Sequence, residues 1–438
     1  MALAWPHSTQ GRAKGNIIRR FIRASSHPCY NVQAMYVRSL SLRHFRTYTR
    51  LELDLPAAPI LLVGANAQGK TSLLEALAYL ALGHSPLAAT DQHLLNWTAV
   101  QAGMPFAQVQ TEVVKARQTE TLEITLQRAQ MNNGKARLGK RIRINNHPVR
   151  RADLAGHLNT VLFLPEDVGL PGGPPAGRRR RLDDLLSQLY PEYVIALARY
   201  QSALSRRNAL LRHLRDHGGD RAQLEPLEGV LAQTGVLLAV YRQRALLALS
   251  LHADRFHQEL TGGKAWLQLE YRAGFAAAQP QAVQYRLALA AEQVPQHHPD
   301  LVALESLYRE MLLQERGKAL ARGVTLMGPH RDDIRFLSEG VDLGDFGSRG
   351  QQRSAVLAWQ MAELHWLQQI TGDTPVLLLD EVLAELDRAR RGTLLGLLGQ
   401  VEQTILATTD VELFPASFRK NALVLEVSGG IVTPVQGV

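Results

Sequence analysis

Gly64-Ala65-Asn66-Ala67-Gln68-Gly69-Lys70-Thr71 matches G-x-x-x-x-G-K-[ST] in full, and its reading decides the fold. Immediately upstream, Ile60-Leu61-Leu62-Val63 is short, wholly aliphatic and bounded by Pro59 and Gly64, as a buried central strand of a parallel sheet should be. Downstream, residues 72–82 carry Leu73, Leu77 and Leu80 on one stripe and read as a helix. In a strand, glycine loop and helix of this kind, successive backbone N–H groups and the helix dipole converge on phosphate groups. All eight residues, Gly64, Ala65, Asn66, Ala67, Gln68, Gly69, Lys70 and Thr71, are therefore candidate nucleotide contacts. Lys70 supplies charge between the β- and γ-phosphates and Thr71 a hydroxyl ligand for Mg²⁺. A merely structural turn would need neither.

The partner element lies far along the chain. Val376-Leu377-Leu378-Leu379-Asp380-Glu381 is a buried strand ending in two acids, which sets carboxylates at the carboxyl edge of the sheet where ligands bind in such folds. Asp380 suits Mg²⁺, directly or through water; Glu381 suits the role of general base on an attacking water, so Glu381 and Lys70 are the expected catalytic pair. Adjacent acids after a strand also serve as helix N-cap and first-turn charge. Proximity to the phosphate loop favours the metal and base roles. The interval from Lys70 to Asp380 far exceeds what a small kinase or GTPase needs, so an inserted domain is expected between them. Just before the acidic strand, Gly347-Ser348-Arg349-Gly350-Gln351-Gln352-Arg353 opens a helix whose stripe includes Leu357, Met361 and Leu364. Serine, glycine and exposed amides at a helix start suit an anion.

Between these halves the character changes twice. Alternating runs at 108–114, 121–127 and 140–145, joined by turn-like Asn132-Asn133-Gly134 and Asn145-Asn146-His147-Pro148, predict an antiparallel β subdomain. It carries Lys135, Arg137, Lys140, Arg141, Arg143, Arg150 and Arg151 without an intervening acid, which suits either a solvated face or contact with a phosphate backbone. After Pro171-Gly172-Gly173-Pro174-Pro175, helical spacing of Tyr193, Leu197, Tyr200, Leu204, Leu211 and Leu214 predicts a long helix. A break at His217-Gly218-Gly219-Asp220 and a second stripe from Leu231 to Leu249 complete an antiparallel hairpin arm.

Composition narrows the class. The chain has 438 residues, 46% apolar and 20% charged, with Gly 34 and Pro 20, which excludes low-complexity and collagen-like sequence. No uncharged apolar run is long enough to span a bilayer. The single cysteine, Cys29, cannot form an internal disulfide and fits a reducing, cytoplasmic compartment. More than half of the net charge of +9 comes from Arg12, Lys14, Arg19, Arg20 and Arg23, so the global charge overstates the case for nucleic acid. Residues 1–34 read as a basic disordered arm or as the product of a start codon assigned too early, with the true start at Met35.

In its order of phosphate loop, insertion, Ser-x-Gly-Gln helix, acidic strand and Leu383-Ala384-Glu385-Leu386-Asp387, the sequence resembles the ABC-type ATPases. Within them it is similar to the RecF family of SMC-like ATPases. That likeness runs from Met35 onward and is most specific at Leu42-Arg43-His44-Phe45-Arg46-Thr47-Tyr48, Leu164-Pro165-Glu166-Asp167 and Gly328-Pro329-His330-Arg331-Asp332-Asp333. It implies an ATP- and Mg²⁺-dependent homodimer that binds duplex or gapped DNA, or a single/double-strand junction, in recombinational gap repair. It further implies slow, DNA-stimulated ATP hydrolysis serving as a timer, help in loading a recombinase, and RecO, RecR and RecA as partners. By the same resemblance Ser348, Gly350 and Gln351 contact the γ-phosphate of the other subunit, Asp387 belongs to a dimer-contacting loop, and Arg46 reaches the nucleotide. Two departures stand out: Thr408 and Thr409 occupy the place of the switch histidine of many ABC ATPases, and residues 1–34 have no counterpart in the family.

The expected fold is thus α/β, an ABC-type P-loop ATPase lobe with an antiparallel β subdomain and an inserted helical-hairpin lobe. Its expected parts are the extension 1–34, the N-terminal half of the ATPase lobe 35–174, the helical insertion 175–320 and the C-terminal half 321–438. The insertion is too short for the long coiled-coil arms of chromosome-maintenance ATPases. The alternative, the energising subunit of a membrane transporter, would lack both the hairpin and the basic β region. Within Gly328 to Asp333, an internal Arg331–Asp332 salt bridge and a place in a dimer interface or DNA cleft are both open. Arg178-Arg179-Arg180-Arg181 likewise suits either DNA contact or a salt-bridged helix start.

Overall fold

Alternating and continuous apolar runs sort into three sheets in a computed structural model that describes residues 34–116, 118–130, 136–274, 299–399 and 401–435. These residues belong to one compact unit, Gln33–Val438. The expectations for residues 1–33, for the turn at Asn132-Asn133-Gly134 and for Lys135 lie outside the described residues.

In chain order, β1 (Tyr36–Phe45) and β2 (Tyr48–Asp54) form a hairpin, and β3 (Ile60–Val63) leads into α1 (Lys70–Leu82). Strands β4 (Phe106–Lys115), β5 (Gln118–Gln130), β6 (Ala136–Ile144) and β7 (His147–Val149) form a meander, followed by β8 (Thr160–Phe163). The helical section holds α2 (Pro175–Leu189), α3 (Pro191–His217), α4 (Glu225–Thr261), β9 (Leu267–Arg272), α5 (Pro299–Gln314) and α6 (Arg316–Arg322). Then come β10 (Asp333–Ser338), β11 (Val341–Asp342), α7 (Arg349–Thr371), β12 (Val376–Asp380), α8 (Arg388–Leu398), β13 (Thr404–Thr408), β14 (Leu423–Ser428) and β15 (Ile431–Pro434).

The central sheet has the order β15-β14-β3-β13-β12-β8, parallel except for β15. Strands β3, β8, β12 and β13 are apolar on both faces because both are covered. Ile60 and Leu62 of β3, with Val376 and Leu378 of β12, pack toward α1 and the meander, whereas Leu61, Leu377 and Leu379 pack toward the long helices. The antiparallel sheet is larger than the spacing of the middle region predicts: its order is β2-β1-β4-β5-β6-β7, so the N-terminal hairpin completes it. Strand β9, between α4 and α5, pairs in register with β10, beyond α6, tying the end of α4 to the return into the ATPase lobe.

Helices α3 and α4 run as the predicted hairpin, yet they are no free-standing arm. The buried stripe of α4, Leu231 through Leu260, shares one core with Trp359, Leu364 and Leu367 of α7 and with Leu377 of the central sheet. The helical section is thereby welded to the helix that Ser348 starts.

Candidate functional site

Strand β3 ends and α1 begins around a cavity of about 290 Å³ lined by Thr47, residues 66–72, Asp380 and Glu381. Two glycines are required there for different reasons. A Cβ on Gly64 would stand 2.3 Å from the carbonyl oxygen of Val427. Gly69 has φ of 118° and would press a Cβ to 2.7 Å from the Tyr48 hydroxyl, which instead donates to the Gly69 carbonyl at 3.0 Å. The loop is pinned from the far side by the β14–β15 turn: Gly429 N–H donates to Gln68 Oε1 (2.7 Å) and Gly430 N–H to Gln68 O (3.2 Å).

Lys70 is 4% exposed. Its ammonium donates to the carbonyls of Gly64 (2.6 Å) and Ala65 (3.0 Å) and stands 3.2 Å from Glu381 Oε1. Thr71 Oγ1 donates to Asp380 Oδ2 at 2.6 Å. Register explains the meeting: β12 and β3 flank β13, so their carboxyl ends share one edge of the sheet. Burial raises the Asp380 carboxyl above the ordinary carboxylate range, and the Thr71 hydroxyl works against that rise. Glu381 leaves the strand with φ of 51°, and its other oxygen accepts from Thr409 N–H at 3.2 Å. Thr409, at the place of the missing histidine, is thus a neighbour of the acid, and Thr47 is a cavity residue that sequence reasoning left without a role.

The residues present fit a magnesium nucleotide. The two glycines let the loop backbone pack against Val427 and Tyr48 in its cradle shape, and Thr71 with Asp380 offers two hard oxygen atoms. Among the described residues no cluster of three acidic, histidine or cysteine ligands exists.

Four expected contacts stand elsewhere. Ser348, Gly350 and Gln351 do not line the cavity of their own chain. Ser348 caps α7 in a reciprocal box, its hydroxyl accepting from Gln351 N–H (3.3 Å) while Gln351 Oε1 accepts from Ser348 N–H (2.9 Å); Ser348 and Gln351 are exposed and Gly350 is half-buried. Arg46 does not reach the cavity either. Its guanidinium makes a two-pronged pair with Glu75 at 2.7 Å on both oxygens and donates to His93 O. Glu75, 2% exposed on an otherwise apolar helix face, needs that partner, and Ser85 gives it a further hydrogen bond. A lone acid within the apolar run of 72–82 was the available signal for it.

Two other charged motifs turn inward. Asp332, 0% exposed, is held by Arg242 (2.6 Å), by the Tyr271 hydroxyl and by Gly274 N–H (2.6 Å). The expected Arg331–Asp332 bridge is therefore replaced by Arg242, which also grips Asp183 and the Pro329 carbonyl. Of the four-arginine run, Arg178 pairs with Asp333 (2.8 Å), Arg179 donates to Asp332 O and Arg181 grips Glu363, so these three hold the interior; only Arg180 is exposed. Three cations of the meander's basic run are also compensated: Lys140 pairs with Asp91 (2.5 Å), Arg143 with Glu123 (3.7 Å) and Arg150 with Asp153 (3.2 Å). No described helix is long and apolar enough to cross a membrane.

The likeness to known proteins extends over the whole described region. Residues 36–432 match the RecF/RecN/SMC N terminal domain. The chain is 42% identical over 396 residues to the DNA replication and repair protein RecF of Chloroflexus aurantiacus, covering 88% of this chain and 96% of that protein. It is 43% identical over 408 residues to the protein of the same name in Chloroflexus aggregans, covering 90% and 99%. A solved structure of the recombination mediator protein RecF-ATPrS in the RecFOR pathway superposes with a TM-score of 0.78 at 26% identity, covering 93% of this chain and all of that one. With a phosphate loop, an acidic strand meeting it and a capped signature helix in one fold, the chain belongs to the RecF family of SMC-like, ABC-type ATPases.

Proposed function

We propose that this chain is a DNA replication and repair ATPase that closes as a homodimer on duplex or gapped DNA, with slow hydrolysis timing its release, and that it helps load a recombinase together with partners of the RecO, RecR and RecA type. The observation that carries this reading is the meeting of Lys70 with Glu381 and of Thr71 with Asp380 across most of the chain, in a cavity that the exposed Ser348 cap does not line.

Backbone N–H groups of residues 64–71 and the start of α1 hold the phosphates of ATP, and Lys70 exchanges its Glu381 contact for them. Glu381, freed on that side and steadied by Thr409 N–H, accepts the proton of the attacking water. Thr71 and Asp380 hold Mg²⁺, which when bound neutralises triphosphate charge. Ser348, Gly350 and Gln351 of a second copy complete the γ-phosphate site from outside.

Turnover then requires two chains, so specific ATPase activity should fall on dilution and rise with added duplex DNA. Constant specific activity across the dilution series would remove the dimer from the mechanism. Ser348→Arg should bind ATP as a monomer without pairing, Lys70→Met should lose nucleotide-dependent pairing, and Glu381→Gln should bind ATP but release it slowly.

A further inference from the structure

At the end of the antiparallel sheet where β1 finishes and β4 starts, two large apolar side chains face solvent. Trp97 is 71% exposed and Met104 44% exposed. Their positions are tied to the sheet. Asn96, the residue before Trp97, donates its N–H to His44 O at 2.8 Å, and Phe106 donates to Met104 O at 2.9 Å. Pro105, next to Met104, accepts from Arg128 N–H at 2.9 Å.

The same end of the sheet gathers positive charge. The register Arg50, Arg43, Gln108, Thr125, Arg141 runs straight across five strands, and at about 4.8 Å per strand Arg43 and Arg141 stand about 14 Å apart. Arg43, Arg50 and Arg141 are all exposed and share one face of the sheet. Among the described residues no acid pairs with Arg43 or Arg141, and the one acid near Arg50, Glu52, is 3.9 Å away. The nearby acids are engaged elsewhere, Asp91 by Lys140 and Glu123 by Arg143. An exposed indole beside three arginines on one face pairs a stacking surface with positive charge. Cations spread on a strand ladder beside an exposed aromatic ring match a chain of phosphates whose bases are free to stack.

We propose that this end of the sheet binds single-stranded nucleic acid, with an unpaired base stacked on Trp97 and its neighbouring phosphates held by Arg43, Arg50 and Arg141. The site deepens the reading of the chain as a DNA-binding protein and rests on it. A duplex keeps its bases stacked on one another, so Trp97 discriminates in favour of unpaired DNA, while the arginines serve either form.

The test uses the full chain and anisotropy of a labelled oligothymidylate of about 12 nucleotides and of a duplex of matching length. Trp97→Ala should weaken the oligothymidylate by about ten-fold or more, Trp97→Phe should restore most of that loss, and duplex affinity should stay within about two-fold. Arg141→Ala should weaken both and lower the salt slope by about one unit. Thermal unfolding and basal ATPase activity of the Trp97 variants should match wild type, since the side chain is exposed and outside the phosphate cavity. Equal loss on both DNAs, or none on either, overturns the stacking site while leaving DNA binding intact; absence of binding to either DNA by the wild type would bring down the broader reading with it. Unchanged DNA binding alongside loss of an acidic protein partner would assign the patch to protein instead.

Discussion

The site around the phosphate loop and the surroundings of the Gly328–Asp333 motif both gather several charges, and do opposite things. Around the loop, Lys70, Thr71, Asp380 and Glu381 lean on one another at the wall of an open cavity, each with capacity left for a ligand. Around Asp332, the groups satisfy one another in the interior: Arg242 bridges Asp332 and Asp183, Tyr271 and Gly274 N–H take the remaining lone pairs, and His330 lies between Tyr200 (2.7 Å) and Thr325 O (3.2 Å). One set of charges waits for a partner; the other is the partner of four separate elements. Charge density alone therefore says little about function. What distinguishes a site from a joint is whether the polar groups face a cavity or each other.

Breaking the joint should have the largest effect on stability. Asp332→Ala leaves Arg242 buried beside a lost carboxylate and should cost about 3 to 5 kcal/mol in denaturant unfolding; a loss below about 1 kcal/mol would mean that Asp183 alone suffices for Arg242. A pH series sharpens the same comparison. Burial lowers His330 to about 4, so its imidazole is neutral in the native state, Nε2–H donating to Thr325 O and Nδ1 accepting from Tyr200. An unfolded histidine protonates near 6.5, so between about pH 6.5 and 4 the unfolded chain binds the extra proton and stability falls as pH drops, by at most about 3 kcal/mol. The slope should flatten in His330→Asn, and an identical slope in both proteins would assign it to other groups.

The loop should respond in the other currency. Lys70→Met removes charge-assisted contacts to phosphate and should weaken ATP about 10- to 100-fold by equilibrium binding, while its unfolding midpoint stays close to wild type. A variant that instead unfolds early would make Lys70 part of the scaffold. The smallest effect is expected at the helix cap: Ser348→Ala should cost about 1 kcal/mol in stability and leave ATP binding by the isolated chain unaltered, because Ser348 does not line that chain's cavity.

Legibility in the sequence followed the same divide. The loop could be read because its requirements are local: Gly64 and Gly69 for backbone clearance, Lys70 and Thr71 at fixed spacing, a buried strand before and a helix after. Asp380 and Glu381 were legible as a strand end, and the phosphate loop implied where that end had to go. Asp332 was not legible, since its partners Arg242, Tyr271 and Asp183 sit on elements whose relative placement no spacing reveals. Arg46 was legible as a cation near the loop but not as the partner of Glu75. The N-terminal hairpin β1–β2 belongs to the meander's sheet through its register with β4, which no local spacing reveals.

By itself the sequence determined the strand-loop-helix unit, the acidic strand, the long helices and the capped start of α7, because hydrophobic period, glycine need and capping chemistry act over a few residues. Only the tertiary structure decided which charges meet, that the hairpin is welded to α7 rather than projecting, and that three of the four consecutive arginines point inward. Those outcomes depend on which distant surfaces close over one another, and a buried charge accepts whatever opposite charge the packing brings within reach.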